Sequence, residues 1–410
     1  MHETQTPRGR LGRRTTCPER TFKVARSYHR PRTRPEHDPN TTGTTVTVVR
    51  LLLAAAGVLS VVGGSGWSGP HVETLYHSDS GTIASFAQDG QLLAWFSLGS
   101  GHCNAVHVLS LHGVEATLPK PGTNNVTCRW TIGQAPVGLA VGARGGGALW
   151  TLHERASVDL DYVLGANVRD PRERRFGQLA HTRGGAGLWL GGVAGDGDTL
   201  VYSLATVGYV DQLDCLSGGS CRRRITGGGV HRIVGRLDPV VRGTRAALQV
   251  AASAGRIAYI RAAAVASDGQ PVANAHLPIE VRIAATGALV SRVVPDGLPL
   301  AVALAPHHLA VLARRSGKLH VSWYEADSGR RLGSVPVPQR TSAQLTASDR
   351  VVVYHVGTLI EGIDLASHRA HKLVRAGSRP IGLSLEGTRL AWAENNKGTG
   401  RIRALSLGAP

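Results

Sequence analysis

Apolar and polar residues recur along the chain in one short arrangement. A strand of small and apolar residues leads into a turn rich in Gly and polar residues. A more apolar strand follows, with an aromatic or β-branched residue at a fixed place. Turn and second strand read QDGQLLAW, GGGALW, GDGDTLVY, SAGRIAY, PHHLAV, SDRVVVY and EGTRLAW. The aligned positions are Trp95, Trp150, Tyr202, Tyr259, Val311, Val353 and Trp392, 39 to 57 residues apart. That period accommodates four short strands per unit, so the fold has to be read as an array of sheets before any single residue is interpreted. The pattern predicts an all-β fold: a seven-bladed β-propeller of four-stranded antiparallel blades.

Within each unit, strand a precedes the turn (PVGLAV, AALQVAA, PLAVALA, TSAQLTA, PIGLSL) and strand b follows it. Strand c is clearest in CNAVHVLSL, EVRIAATG, LHVSWYEADSG, LIEGIDLAS and RIRALSL, and a d strand continues in SGRRLGSVPV and SHRAHKLV. These alternate as half-buried strands do. The last unit supplies only PIGLSL, RLAWAE and RIRALSL, whereas HVETLYHS, residues 71–78, has the length of one strand ahead of the first unit. The ring is therefore expected to close by pairing of this N-terminal strand with RIRALSL, which covers an otherwise open edge.

The D-G or E-G turn before LAW resembles the repeats of TolB-type and WD-like bacterial propellers, and YEADSGRRLGSV resembles the D-x-x-T-G-K hairpin of quinoprotein-type propellers. The resemblance covers residues 71–410 and implies a blade, without an activity. The Gly-His and Trp-Asp pairs of the true WD repeat are absent, and the cofactor-stacking Trp and metal-binding Asp and Asn of quinoprotein dehydrogenases find no counterparts.

Ahead of the repeats, residues 1–45 are rich in Arg, Thr and Pro and carry no apolar periodicity, which predicts a disordered basic leader. Residues 46–69 read as a signal peptide: Leu51 to Val62 are apolar, shorter than a bilayer span, and Gly63, Gly64, Ser65 and Gly66 suit a cleavage site. An uncleaved signal anchor is the alternative. So long a leader before a signal peptide points to a translation start near Val46. Residues 70–410 form the propeller domain, placed in the cell envelope or secreted.

The formal charge of +18 includes +7 from the first 50 residues, so the body is only moderately basic. Its clusters, Arg172, Arg174 and Arg175, then Arg222, Arg223 and Arg224, read as solvated loop faces. Aromatics make up 5% of the chain and sit mostly in the repeat strands, so the stacking platform of a single-stranded nucleic-acid binder is missing. Cysteine usage changes the picture more. With Cys17 set aside in the leader, four remain: Cys215 and Cys221 flank a Gly-containing hairpin turn, and the strands after Cys103 bring Cys128 back beside it. Two disulfides, Cys103–Cys128 and Cys215–Cys221, are expected, each fitting an oxidising compartment. Neither pair has CxxC spacing and no His completes a zinc set with them.

The repeated aromatics are expected to pack between neighbouring sheets rather than to stack on a ligand. Asp159 with Asp161, and Asp196 with Asp198, are candidate calcium ligands, but DGD occupies an a/b turn where Asp and Gly serve backbone geometry. His307 and His308 fall in another turn, and His102, His107 and His112 in the first unit, without the spacing of a metal motif. Asn125 begins an N-x-T sequon. The expectation is an exported, non-enzymatic, monomeric propeller that binds a protein, peptide or cell-envelope polymer. No metal, cofactor or nucleic acid is expected, and a membrane is met only through an uncleaved anchor. The alternative is a propeller-type enzyme, either a metal-dependent hydrolase or lactonase, or a quinoprotein-like oxidoreductase.

Overall fold

The computed structural model describes residues 71–408 apart from 79–80, 99–103, 114, 121–124, 129–133, 145, 156–157, 183–184, 209–212, 216–220, 224 and 267–268. The basic leader, the apolar segment and the sequence GGSGWSG lie outside the described residues, as do Cys17, His102 and Cys103. Among the described residues every regular element is a strand, and no helix is long and apolar enough to cross a membrane.

After β1 (Val72–His77), strands β2 (Thr82–Asp89), β3 (Leu92–Leu98), β4 (Ala105–Ser110) and β5 (Glu115–Leu118) pair antiparallel in sequence order. Then come β6 (Gln134–Gly142), β7 (Gly147–Glu154), β8 (Asp159–Asn167), β9 (Arg174–His181), β10 (Gly187–Asp196) and β11 (Thr199–Val207). The hairpin of β12 (Leu213–Cys215) and β13 (Cys221–Arg223) intervenes before β14 (Ile225–Arg232), which pairs with β11. The next sheet holds β15 (Ala247–Ser253), β16 (Arg256–Val265), β18 (Ile279–Ile283) and β19 (Leu289–Val293), with β17 (Pro271–Ala273) added to β16. Two four-stranded sheets follow: β20 (Leu298–Leu304), β21 (His308–Arg315), β22 (Lys318–Glu325) and β23 (Arg331–Val337), then β24 (Thr341–Ala347), β25 (Val351–Val356), β26 (Leu359–Asp364) and β27 (Arg369–Arg375). Finally β28 (Ile381–Glu386), β29 (Arg389–Asn396) and β30 (Thr399–Ser406) take up β1 on the outside of β30, pairing Val72 with Leu405 and His77 with Arg401.

This is a propeller of four-stranded blades, but the expected count of seven separate blades is corrected by the pairing. Five sheets stand as separate blades, one of them with a fifth strand, whereas β6 to β11 and β14 make one continuous seven-stranded sheet. The physical reason lies at a single join, where Gly187 of β10 pairs with His181 of β9. Gly187 has φ 123°, and a Cβ there would lie 2.2 Å from the Ala180 carbonyl oxygen. Only glycine lets these two backbones approach.

The inner strands β2, β6, β10, β15, β20, β24 and β28 neighbour one another in that order, and β28 returns to β2. Apolar cores lie between successive sheets. Phe96, Val106 and Leu118 meet Trp150, Leu152 and Leu164, while Leu312 and Trp323 meet Val352, Tyr354 and Ile363. The residues at the repeated b-strand places, Trp95, Trp150, Tyr202, Tyr259, Val311, Val353 and Trp392, are all buried. Six of them face the same a-strand register position: Phe86, Leu139, Val193, Val250, Val302 and Leu383. On β25 that position, opposite Leu345, belongs to Tyr354 and not to Val353. A one-residue shift reverses the face of a strand. Accordingly Tyr354 packs toward the preceding sheet, as Trp95 and Trp392 do, while Val353 packs toward the following one.

Candidate functional site

The connection from β14 to β15, residues 233–246, reads IVGRLDPVVRGTRA. Its chemistry is unusual for a loop. Val234 and Leu237 exchange backbone hydrogen bonds at 2.8 and 3.0 Å, and His231 forms a bridge with Val240, so the segment folds back on itself as a small hairpin. It is also tied down from beneath. The buried Tyr202 hydroxyl donates to Asp238 Oδ2 at 2.5 Å, His231 Nδ1 meets the Asp238 carbonyl at 2.9 Å, and Arg174 Nη1 donates to the Gly235 carbonyl at 3.0 Å. Burial, reinforced by the Asp238 carboxylate, raises the Tyr202 phenol well above its ordinary value, so it stays a donor.

The outer side of this anchored loop is apolar. Val234 is 46% exposed, Leu237 69% and Val240 53%, so three of the eight exposed large hydrophobic side chains among the described residues fall within seven positions. Arg236 and Arg242 are exposed beside them. A cavity of about 420 Å³, lined by Val234, Val240, Arg242 and Thr286 among others, opens beside the loop. Such a surface, apolar at its centre and Arg-rich at its rim, has the composition of a contact patch, and the anchoring lowers the ordering cost of using it.

The axial cavity, about 640 Å³, is walled by the inner strands, with Leu139, Val193, Val250, Val302, Leu345 and Leu383 on its lining. At its a/b-turn end the carboxylates are occupied by backbone amides. Asp89 Oδ2 accepts from Ala143 N at 2.5 Å and Gly197 N at 2.7 Å, and Asp349 Oδ1 accepts from His307 N at 2.8 Å. The turn amides of Ala254 and Gly255 favour the charged form of Asp196, and that of Gly90 the charged form of Glu386, but burial outweighs them. Burial, then repulsion from Asp89, raises both Asp196 and Glu386 above the usual carboxylate range. Asp89 and Asp349 lace neighbouring turns together, with Gly90, Gly197 and Gly387 at φ 54°, 57° and 58° supplying turn geometry.

The remaining sequence candidates are scattered. His107, on β4 and away from the inner strands, stacks on Trp95 of β3, and His308 Nδ1 lies 3.2 Å from Asp349 Oδ1. Asp198 pairs with Arg144 at 3.1 Å, separate from Asp196. Arg172 and Arg174 both hold Asp170, which they lower far below the usual range, and Arg175 lies over the Tyr162 ring. Asn125 Nδ2 donates to the Lys120 carbonyl. Cys215 stands opposite Cys221 in the β12–β13 register, and Cys128 is disulfide-bonded. Asp161 is met by His153 and His181, a grouping that sequence spacing does not reveal because the residues come from three strands.

No protein-family model and no curated protein matches the chain. It is similar at 12% identity and TM-score 0.48 to a chain in the crystal structure of a mitotic checkpoint complex, covering 88% of this chain and 99% of that one. It is similar at 12% identity and TM-score 0.43 to the computationally designed Ika8 protein, covering 80% of this chain and 98% of that one. Likenesses this distant assign neither a family nor a partner.

Proposed function

We propose that the chain is an exported, non-enzymatic, monomeric propeller that binds a protein or peptide through the anchored loop between β14 and β15. The observation that carries this reading is the concentration of Val234, Leu237 and Val240 at the outer side of a loop held from below by Tyr202. Exposed apolar side chains clustered on a rigid support are what a binding surface retains and an idle loop loses. Arg236 and Arg242 at the rim favour a partner whose contact face is acidic around an apolar centre. Asp89 and Asp349 of the axial cavity are engaged by turn amides, which gives these two a stitching role that accounts for them without catalysis.

Export is part of the same proposal. It is supported by the apolar stretch from Leu51 to Val62, by the register of Cys215 with Cys221 and by the disulfide at Cys128, for which Cys103 is the proposed partner. One experiment addresses both parts: the tagged chain, produced with its own N-terminal region, is recovered from the extracytoplasmic fraction and used as bait for envelope proteins. The recovered chain is expected to begin between Gly64 and Pro70 and to retain a defined partner that the Leu237→Asp, Val240→Asp double variant releases. Recovery only from the cytoplasm refutes export, and equal retention by both baits refutes the loop as the contact surface.

A further inference from the structure

We infer that His153, Asp161 and His181 form a site for a divalent first-row transition metal, of the zinc type, at the join between β9 and β10. In register His153 stands opposite Asp161 across β7 and β8, and His181 stands opposite Asp159 across β8 and β9. Residues opposite one another share a face, and Asp159 and Asp161 are two apart on β8, so all four side chains belong to one face of the seven-stranded sheet. One donor atom from each of His153, Asp161 and His181 lies within 4.8 Å of the others.

Distances separate an ion site from a plain hydrogen-bonded trio. His153 Nδ1 sits 2.8 Å from Asp161 Oδ1, an ordinary hydrogen bond. His181 Nε2, however, faces Asp161 Oδ2 at 3.5 Å, beyond good hydrogen-bonding range. Two ligands held at the usual zinc distances around a tetrahedral ion lie roughly 3.4 Å apart. His181 is only 3% exposed, its Nδ1 has no hydrogen-bond partner, and the Oδ1 of neighbouring Asp159 is likewise buried and unpartnered. A buried imidazole and a buried carboxylate oxygen left in this condition are costly. A cation between Nε2 and Oδ2 satisfies that side of the imidazole and the Asp161 carboxylate, and water can complete four-coordination.

The surroundings fix the ligands. Trp189, at the start of β10, stacks on His181 with ring centroids 3.6 Å apart, and its Nε1 donates to the Gly185 carbonyl at 2.9 Å. The Gly187–His181 pairing that fuses the two halves of the sheet thus also brings Trp189 over the imidazole. His153 is half-buried and leaves the site a route to solvent. Imidazole with carboxylate suits Zn(II), Co(II), Ni(II) or Fe(II).

The purified chain, stripped with chelator, is titrated with Co(II) under visible absorption and with Zn(II) by calorimetry. One equivalent is expected to bind, with the intense visible bands of a four-coordinate cobalt site that Zn(II) then bleaches. Because His181 is buried and its removal can unfold the sheet, the deciding variants are His153→Ala and Asp161→Asn, each checked for a native circular dichroism spectrum. Each is expected to weaken binding by at least about 100-fold, while a control variant, His307→Ala with His308→Ala, binds as the parent does. Absence of a stoichiometric site in the parent chain, or unchanged affinity in a folded His153→Ala variant, overturns the assignment.

Discussion

At the scale of single residues, the b-strand aromatics carry polar tips, and the structure gives those of Trp150, Tyr202, Tyr259 and Trp392 a partner. The Tyr259 hydroxyl donates to Glu280 Oε2 at 2.7 Å, and Glu280 is held in turn by Arg282 at 2.7 Å and Arg292 at 3.2 Å. Burial first, and the Glu280 charge second, push the Tyr259 phenol up to about 12. In the unfolded chain it ionises near its ordinary value of about 10. Because the folded value is the higher one, the stabilisation is complete below pH 10 and is lost as pH rises from 10 to 12. Tyr259→Phe is expected to cost about 1.5–3 kcal/mol at pH 8, the range for a hydrogen bond to a charged group, and to flatten the alkaline limb. Urea midpoints at half-unit steps between pH 8 and 12 test both expectations, and parallel alkaline limbs for parent and variant count against the assignment.

At the scale of elements, β9 and β10 show what a sequence can and cannot carry. The repeat was legible because a Trp or Tyr returns at one register position, but SDRVVVY offers three valines and then a tyrosine, and position in the string favours Val353 where pairing with Leu345 selects Tyr354. The join at Gly187 was illegible: one glycine in the run GLWLGG looks like any other until Ala180 is known to lie against it. The metal-ligand grouping was hidden for a related reason, since His153 and His181 meet Asp161 only through the registers of three strands. Likewise, the run IVGRLDPVVRGTRA carries no residue pattern that announces its anchor on Tyr202. Gly187→Ala puts a methyl group against backbone at a φ of 123°, and is expected to cost about 2–3 kcal/mol. It should also loosen Trp189 from His181. Denaturant midpoints together with tryptophan fluorescence provide the check, and a variant with unchanged stability would mean that β9 and β10 are not joined in solution.

At the scale of the whole described domain, closure depends on a strand borrowed from the other end of the sequence. β1 covers the outer edge of β30 and packs Leu75 and Tyr76 against the core that holds Trp95, Ala391 and Ile402. Deleting residues 71–78 exposes that edge and a strip of apolar surface, so the truncated chain is expected to unfold at a lower temperature and to aggregate. Equal melting temperatures for the truncated and parent chains would show the closure to be dispensable. The same pairing sets an order of events. Val72 has to wait for Leu405, so β1 cannot dock before nearly the whole domain has been made or delivered, and until then its partner edge stays open. Contacts of such long sequence separation form late and slowly, so β1 should contribute little to the folding transition state and much to the lifetime of the folded ring. The clasp then acts as a kinetic lock, with its release the first step by which a protease or an unfolding force gains access to the chain.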